Sequence, residues 1–126
     1  MHAVDTNILV RVITRDDPRQ LEAAERYISR GAWVSTVVLA EASWVLGAVY
    51  GLGDEQLATV IQMLLSHEHL SLQDPEVIAA ALERFREARA PGFTDCLTLE
   101  IAGKAGHLPV GTFDKRLGKA EGAELL

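Results

Sequence analysis

In Ala32-Trp33-Val34-Ser35-Thr36-Val37-Val38-Leu39-Ala40-Glu41-Ala42-Ser43-Trp44-Val45-Leu46-Gly47-Ala48-Val49-Tyr50, an apolar start runs through Ser35-Thr36 into a long apolar tract holding a single charge, Glu41. Trp33 and Val34 read as a short strand. Ser35 or Thr36 can cap a helix that continues to about Tyr50. On that helix Val37, Val38, Glu41, Trp44, Val45 and Ala48 follow the helical period, so Glu41 is expected on the inward, apolar face. An unpaired carboxylate there would cost several kcal/mol or take up a proton. No Lys or Arg occurs from Gly31 to Glu83, so its compensating charge must come from a distant segment or from a bound cation. The tract from Gly31 to Gly53 is long enough to raise a membrane span. A central carboxylate, with Ser35, Thr36, Ser43, Gly47 and Gly51, argues instead for a helix of a soluble protein.

The same strand-then-helix order repeats on both sides of this tract. His2 to Val4 reads as a strand ending at Asp5, and Thr6 to Thr14 as a helix. Asp16-Asp17-Pro18 starts a second helix, which Gly31 stops. Asp54 is placed as the cap of a further helix with Leu57, Val60, Ile61, Leu64 and Leu65 inward. Leu70 to Leu72 reads as a strand, Asp74-Pro75 as the start of a helix to about Arg89, and Pro91-Gly92 as a turn. A helix from Phe93 or Thr94 carries Asp95 in its first turn and closes at Gly106. Leu108 to Thr112 is a strand with Asp114 beyond its end, then a short helical turn, and Ala123 to Leu126 is a last edge strand. Alternating strands and helices predict an α/β fold: a mainly parallel central sheet of four to five short strands, helices on both faces, one domain over residues 1–126.

Composition agrees with a soluble globular chain: of 126 residues, 48% are hydrophobic and 24% charged. One cysteine, Cys96, excludes an internal disulfide and suits a reducing compartment, so a cytoplasmic location is expected. The N-terminus opens directly on a strand, with no secretory signal expected. The net charge is −6, but residues 1–30 balance five Arg against five acids, and residues 84–126 carry seven bases against six acids. The chain lacks the overall basic character of most nucleic-acid binders. A metal site that becomes neutral when loaded would account for part of the acidity.

Three further acids have apolar neighbours: Asp5, Asp95 and Asp114. Asp5 and Asp114 fall just past strands, at the end where parallel sheets bind ligands. Asp95 opens a helix, and Glu41 lies one turn into another. Four acids from separate segments are thus expected to converge. Crowded carboxylates stay ionised only beside a cation, and oxygen-only ligands select Mg²⁺ or Mn²⁺ over zinc. Such an ion suits phosphoryl chemistry.

The order of the blocks narrows this further. Val4-Asp5-Thr6-Asn7-Ile8-Leu9, then Ser35 to Glu41 followed by Trp44-Val45-Leu46, then Phe93-Thr94-Asp95-Cys96-Leu97, then Thr112-Phe113-Asp114-Lys115-Arg116-Leu117, together resemble the PIN domain. Within it they resemble the VapC-type toxins of bacterial toxin–antitoxin pairs. The resemblance covers nearly the whole chain and implies a Mg²⁺- or Mn²⁺-dependent endoribonuclease. It makes Asp5, Glu41, Asp95 and Asp114 the catalytic, metal-holding acids. Asn7 and Thr112 would orient carboxylates or a bound water through hydrogen bonds, and Thr6 would cap the helix after Asp5. The implied reaction is in-line attack of a metal-activated water on an RNA phosphodiester, leaving a 5′-phosphate and a 3′-hydroxyl. A homodimer and a cognate antitoxin are implied partners. Thr94 stands where family members often have Ala.

Arg11 and Arg15 are the candidates for the substrate phosphate backbone or an antitoxin carboxylate. His67-Glu68-His69 has neither the helical spacing nor the companion ligands of a zinc site. Trp33, Trp44 and Tyr50 read as core or dimer contacts rather than base-stacking platforms. The rival to a nuclease is a non-catalytic PIN-like module that only binds RNA or protein. A Mg²⁺-dependent phosphatase or phospho-receiver fits poorly, because position 7 is Asn and Asp16-Asp17 lies beyond a helix.

Overall fold

Asp5 lies between the first strand and the first helix. Its backbone is extended, and its carboxylate accepts the Ile8 N–H at 3.1 Å, which makes it the N-cap of α1 (Thr6–Thr14). The capping role expected of Thr6 therefore belongs to Asp5; Thr6 is already the first helical residue, and a cap must lie outside the helix. Asp17 repeats the device for α2 (Pro18–Ile28): it accepts the Gln20 N–H at 3.1 Å, and Pro18 takes the first position, where a missing N–H leaves nothing unpaired. Gly31, at φ 87°, then turns the chain into β2 (Ala32–Val34), a conformation that a Cβ would strain.

The computed structural model describes residues 1–126. It divides into two compact units, Met1–Pro75 and Glu76–Leu126. In the first, β1 (His2–Ala3), β2 and β3 (Leu70–Leu72) form a parallel sheet in that order, with Ala32 in register with His2 on one side and Leu70 on the other. Ser35 Oγ accepts the Val38 N–H at 3.1 Å and starts α3 (Thr36–Ala48). Before α4 (Asp54–Ser66) the cap is Gly53 rather than Asp54. The Gly53 N–H donates to Gln56 Oε1 at 2.9 Å, and Asp54 begins the helix. Helix α1 packs on α2 and α3. Leu9, Val34, Leu39, Leu46 and Ile61 are the largest buried side chains of this unit.

Helix α3 is turned relative to the sequence expectation. Its buried residues are Leu39, Ala42, Ser43 and Leu46. Val37 and Trp44 are 74% and 66% exposed, and Glu41 and Ala48 are exposed with them. Glu41 does share a face with Val37, Trp44 and Ala48, but that face meets solvent. A helix that is apolar all round carries no hydrophobic signal for its rotational phase, so packing chose between two nearly equivalent faces. The desolvation argument for Glu41 is overturned by the same finding.

In the second unit, α5 (Pro75–Phe85) stops short of the expected Arg89. Arg89 sits at φ 63°, and the chain instead turns through N–H bonds from Glu87 to the Arg84 carbonyl and from Ala90 to the Glu87 carbonyl. Helix α6 (Phe93–Ala105) ends at Gly106, φ 84°. Strand β4 (Val110–Thr112) leads to a 3-10 turn (Leu117–Lys119) and to β5 (Ala123–Leu125), which pairs parallel with β4. Ile78, Leu82, Phe85, Phe93, Leu97 and Leu99 fill the core.

Within each unit the paired strands run parallel, as the alternation with helices requires. They form a sheet of three and a sheet of two rather than the single central sheet expected, because the short β4 pairs with its successor β5. No helix is long and apolar enough to cross a membrane.

Candidate active site

Asp95 and Asp114 are the acids that the second unit brings together. Asp95 sits half-buried in the first turn of α6, where exposed N–H groups and the helix dipole favour an anion. Asp114 follows β4. Its N–H donates to Thr112 Oγ1 at 3.0 Å, and its Oδ1 accepts the Leu117 N–H at 2.9 Å. Thr112 thus braces the backbone of Asp114 and does not touch its carboxylate. Burial pushes the Asp95 carboxyl above its ordinary range, the Asp114 charge pushes it further, and Arg116 opposes both. Arg116 is itself anchored, its Nε donating to the Ala90 carbonyl at 2.8 Å.

The raised carboxyl has a consequence for stability. In the unfolded chain Asp95 loses its proton near its ordinary value of 3.8; in the folded chain it holds the proton to higher pH. The contribution of the protonated form is fully present below the unfolded value and is lost as pH rises through the folded one. Without metal, Asp95→Asn should therefore melt above the wild type at pH 7, and the gap should shrink toward pH 4 (about the unfolded pKa). Adding Mg²⁺ should raise the wild-type melting temperature more than the variant's. Thermal melts across this range check it; a gap independent of pH would show that Asp95 is not held in a repulsive pair.

In the first unit, Asp5 caps α1 and Glu41 lies exposed on α3. Asn7 is exposed in the first turn of α1 and forms no hydrogen bond to a carboxylate. Arg11 is committed elsewhere: its guanidinium donates to Tyr50 Oη at 3.1 Å and Asp16 Oδ1 at 3.3 Å, and its Nε to Gln20 Oε1 at 2.5 Å. The Tyr50 bond holds it above its ordinary pKa. Asp16 also accepts the Thr14 hydroxyl at 2.9 Å, which lowers its own pKa. Arg15 pairs with Glu25 at 3.0 Å in solvent, a contact that water and salt weaken and that a stronger anion can displace. Of the two arginines, Arg15 is the freer to meet a phosphate.

No group of three or more His, Cys, Asp or Glu side chains is gathered in a form that could hold a metal ion. His67 and His69 meet with tilted rings, centroids 5.9 Å apart, and His69 Nε2 lies 3.2 Å from Glu68 Oε1, one ligand short of the set a structural zinc site needs. Cys96 is buried, its thiol pushed up to about 11 by that burial, and is no nucleophile at neutral pH. What the second unit offers is two oxygen donors, the half-buried Asp95 and the exposed Asp114, whose charge is felt at Asp95. That donor set fits a hard divalent cation, which takes one or two carboxylates and fills its remaining positions with water and phosphate oxygens.

Acids beyond a strand end and in the first turn of a helix lie where parallel α/β folds place ligands. The PIN domain family model matches residues 3–123, and the chain belongs to that family. PIN domains are generally metal-dependent nucleases and typically bind a divalent metal. The search of curated proteins and the search of solved structures returned no match. The sequence places Phe113 in the Thr112–Leu117 block without a role of its own; in the structure it is 82% exposed just past β4.

Proposed function

We propose that this chain is a Mg²⁺- or Mn²⁺-dependent endoribonuclease, the VapC-type toxin of a toxin–antitoxin pair. The observation that carries the reading is the PIN-family match over residues 3–123, with Asp95 in the first turn of α6 and Asp114 just past β4. Asp95 and Asp114 are the residues to hold the ion. Asp5 and Glu41 join the catalytic set on the strength of the motifs that contain them. When bound, the ion neutralises phosphate charge and makes water a better nucleophile. Thr112 and the Leu117 N–H keep Asp114 in one orientation, so little reorganisation is needed when the ion and phosphate arrive. The α6 N-terminus favours negative charge beside Asp95, and Arg116 adds a fixed positive charge.

Two surfaces of the first unit support protein partners. One is the exposed apolar face of α3 with Val37 and Trp44, a contact suited to a homodimer. The other is a cavity of about 470 Å³ lined by Val12, Ile13, Ile28, Val60, Met63 and Leu64, suited to an apolar antitoxin segment.

The test is incubation of the purified chain with total cellular RNA, with Mg²⁺ or Mn²⁺ and with EDTA. Discrete fragments bearing 5′-phosphate and 3′-hydroxyl ends, formed only with metal, are the expected result, and sequencing the ends names the target. Metal binding without any cleavage would sink the enzyme reading in favour of a non-catalytic binding module.

A further inference from the structure

We infer that Phe113 is a stacking platform for an unpaired nucleobase next to the scissile phosphate; this rests on the ribonuclease reading above and adds a substrate-recognition residue to it. The chain has three phenylalanines. Phe85 and Phe93 are 6% and 3% exposed and meet edge to face, ring centroids 5.7 Å apart. Phe113 is 82% exposed, the most exposed of all the large apolar side chains, and no aromatic ring or charged group contacts it. Folding gains almost nothing from a ring left in water, so the stability of this unit does not explain a phenylalanine there.

Its setting is rigid. The residues on either side are fixed by the Asp114 N–H to Thr112 Oγ1 bond and the Leu117 N–H to Asp114 Oδ1 bond. The ring therefore stands on a braced backbone rather than on a loose loop, and holding it in place for a ligand costs little additional order.

The neighbours define the ligand. Asp114, adjacent in sequence, is one of the acids that the proposed function gives to a divalent cation and its phosphate. Lys115 and Arg116 follow directly and are exposed. A seat for phosphate, an aromatic face and two cations within one short segment match a nucleotide: charge for the backbone, a flat ring for the base. Every base has a π-face, so such a platform is tolerant of sequence but selective for bases that are free to leave a helix. Duplex RNA keeps its bases stacked and presents none. An apolar peptide would use the ring but not the acid pair.

The experiment measures binding of a fluorescein-labelled single-stranded RNA dodecamer, and of an abasic ribose-phosphate oligonucleotide of equal length, by anisotropy. Ca²⁺ replaces Mg²⁺ to suppress turnover. Wild type, Phe113→Ala and Phe113→Trp are compared, circular dichroism confirms the fold, and cleavage of the dodecamer with Mg²⁺ is followed in parallel. The expected result is that wild type prefers RNA over the abasic strand, that Phe113→Ala loses about 5- to 100-fold of that preference, and that Phe113→Trp keeps it. Equal losses for both ligands, or none, would overturn the stacking role while leaving the nuclease standing. So would an unchanged RNA preference with a changed sedimentation mass, which would assign the ring to a protein contact. Wild type that neither binds nor cuts RNA would refute the ribonuclease reading itself, and the stacking role with it.

Discussion

Asp114→Asn should fold like the wild type and cleave RNA at least about 100-fold more slowly, since even outer partners of metal ligands contribute about 10–100-fold. The substitution separates structure from chemistry. Asp114 has a structural task, accepting the Leu117 N–H at 2.9 Å through Oδ1. An asparagine keeps an oxygen in that place and caps helical turns as well as aspartate does. The Thr112 contact is made to the backbone N–H and is indifferent to the side chain. What asparagine removes is the negative charge, and with it attraction for a cation and repulsion of Asp95. Circular dichroism should be unchanged, a Mg²⁺ titration should weaken, and cleavage of a defined RNA should fall. Cleavage at the wild-type rate by Asp114→Asn would take the pair out of the active site. Asp5→Asn carries the same logic, because its cap to the Ile8 N–H survives the change.

The second large effect is on stability. Leu9 is 0% exposed on α1, the helix that packs on α2 and α3. Leu9→Ala should cost about 2–5 kcal/mol, from lost transfer energy and from a cavity that its neighbours only partly close. In urea the unfolding midpoint should fall with little change in slope. Arg19→Ala, exposed on α2, is the control and should stay within about 0.5 kcal/mol of wild type. A midpoint unmoved by Leu9→Ala would mean that α1 is not docked as described. Because Asp5 caps α1, the docking of that helix also governs how the carboxylate is presented.

Arg11 shows why a residue's type does not fix its use. Its position after Asp5 suggested phosphate recognition. In the structure it joins α1 to the start of α2 and to Tyr50 beyond α3, with Asp16 and Thr14 completing the network. Bonds of this kind depend on partners up to 39 residues away, which no local pattern announces.

Much of the chain was legible because its signals are local. The Asp17-Pro18 start, the Ser35 cap, the bounds of α1 and the glycines at Gly31 and Gly106 each depend on a few neighbouring residues and on backbone sterics. Alternation of short apolar strands with helices determined a parallel α/β class, and the spacing of acid-bearing blocks determined the PIN family. The tertiary structure decided the rest. It put Glu41 in solvent, because a helix apolar on both sides does not specify which side is inward. It divided five strands between two sheets, because partner choice for strands of two or three residues is settled by non-local packing. It coupled Asp95 to Asp114 and left Phe113 in water, since distance and exposure belong to the folded arrangement and not to order along the chain.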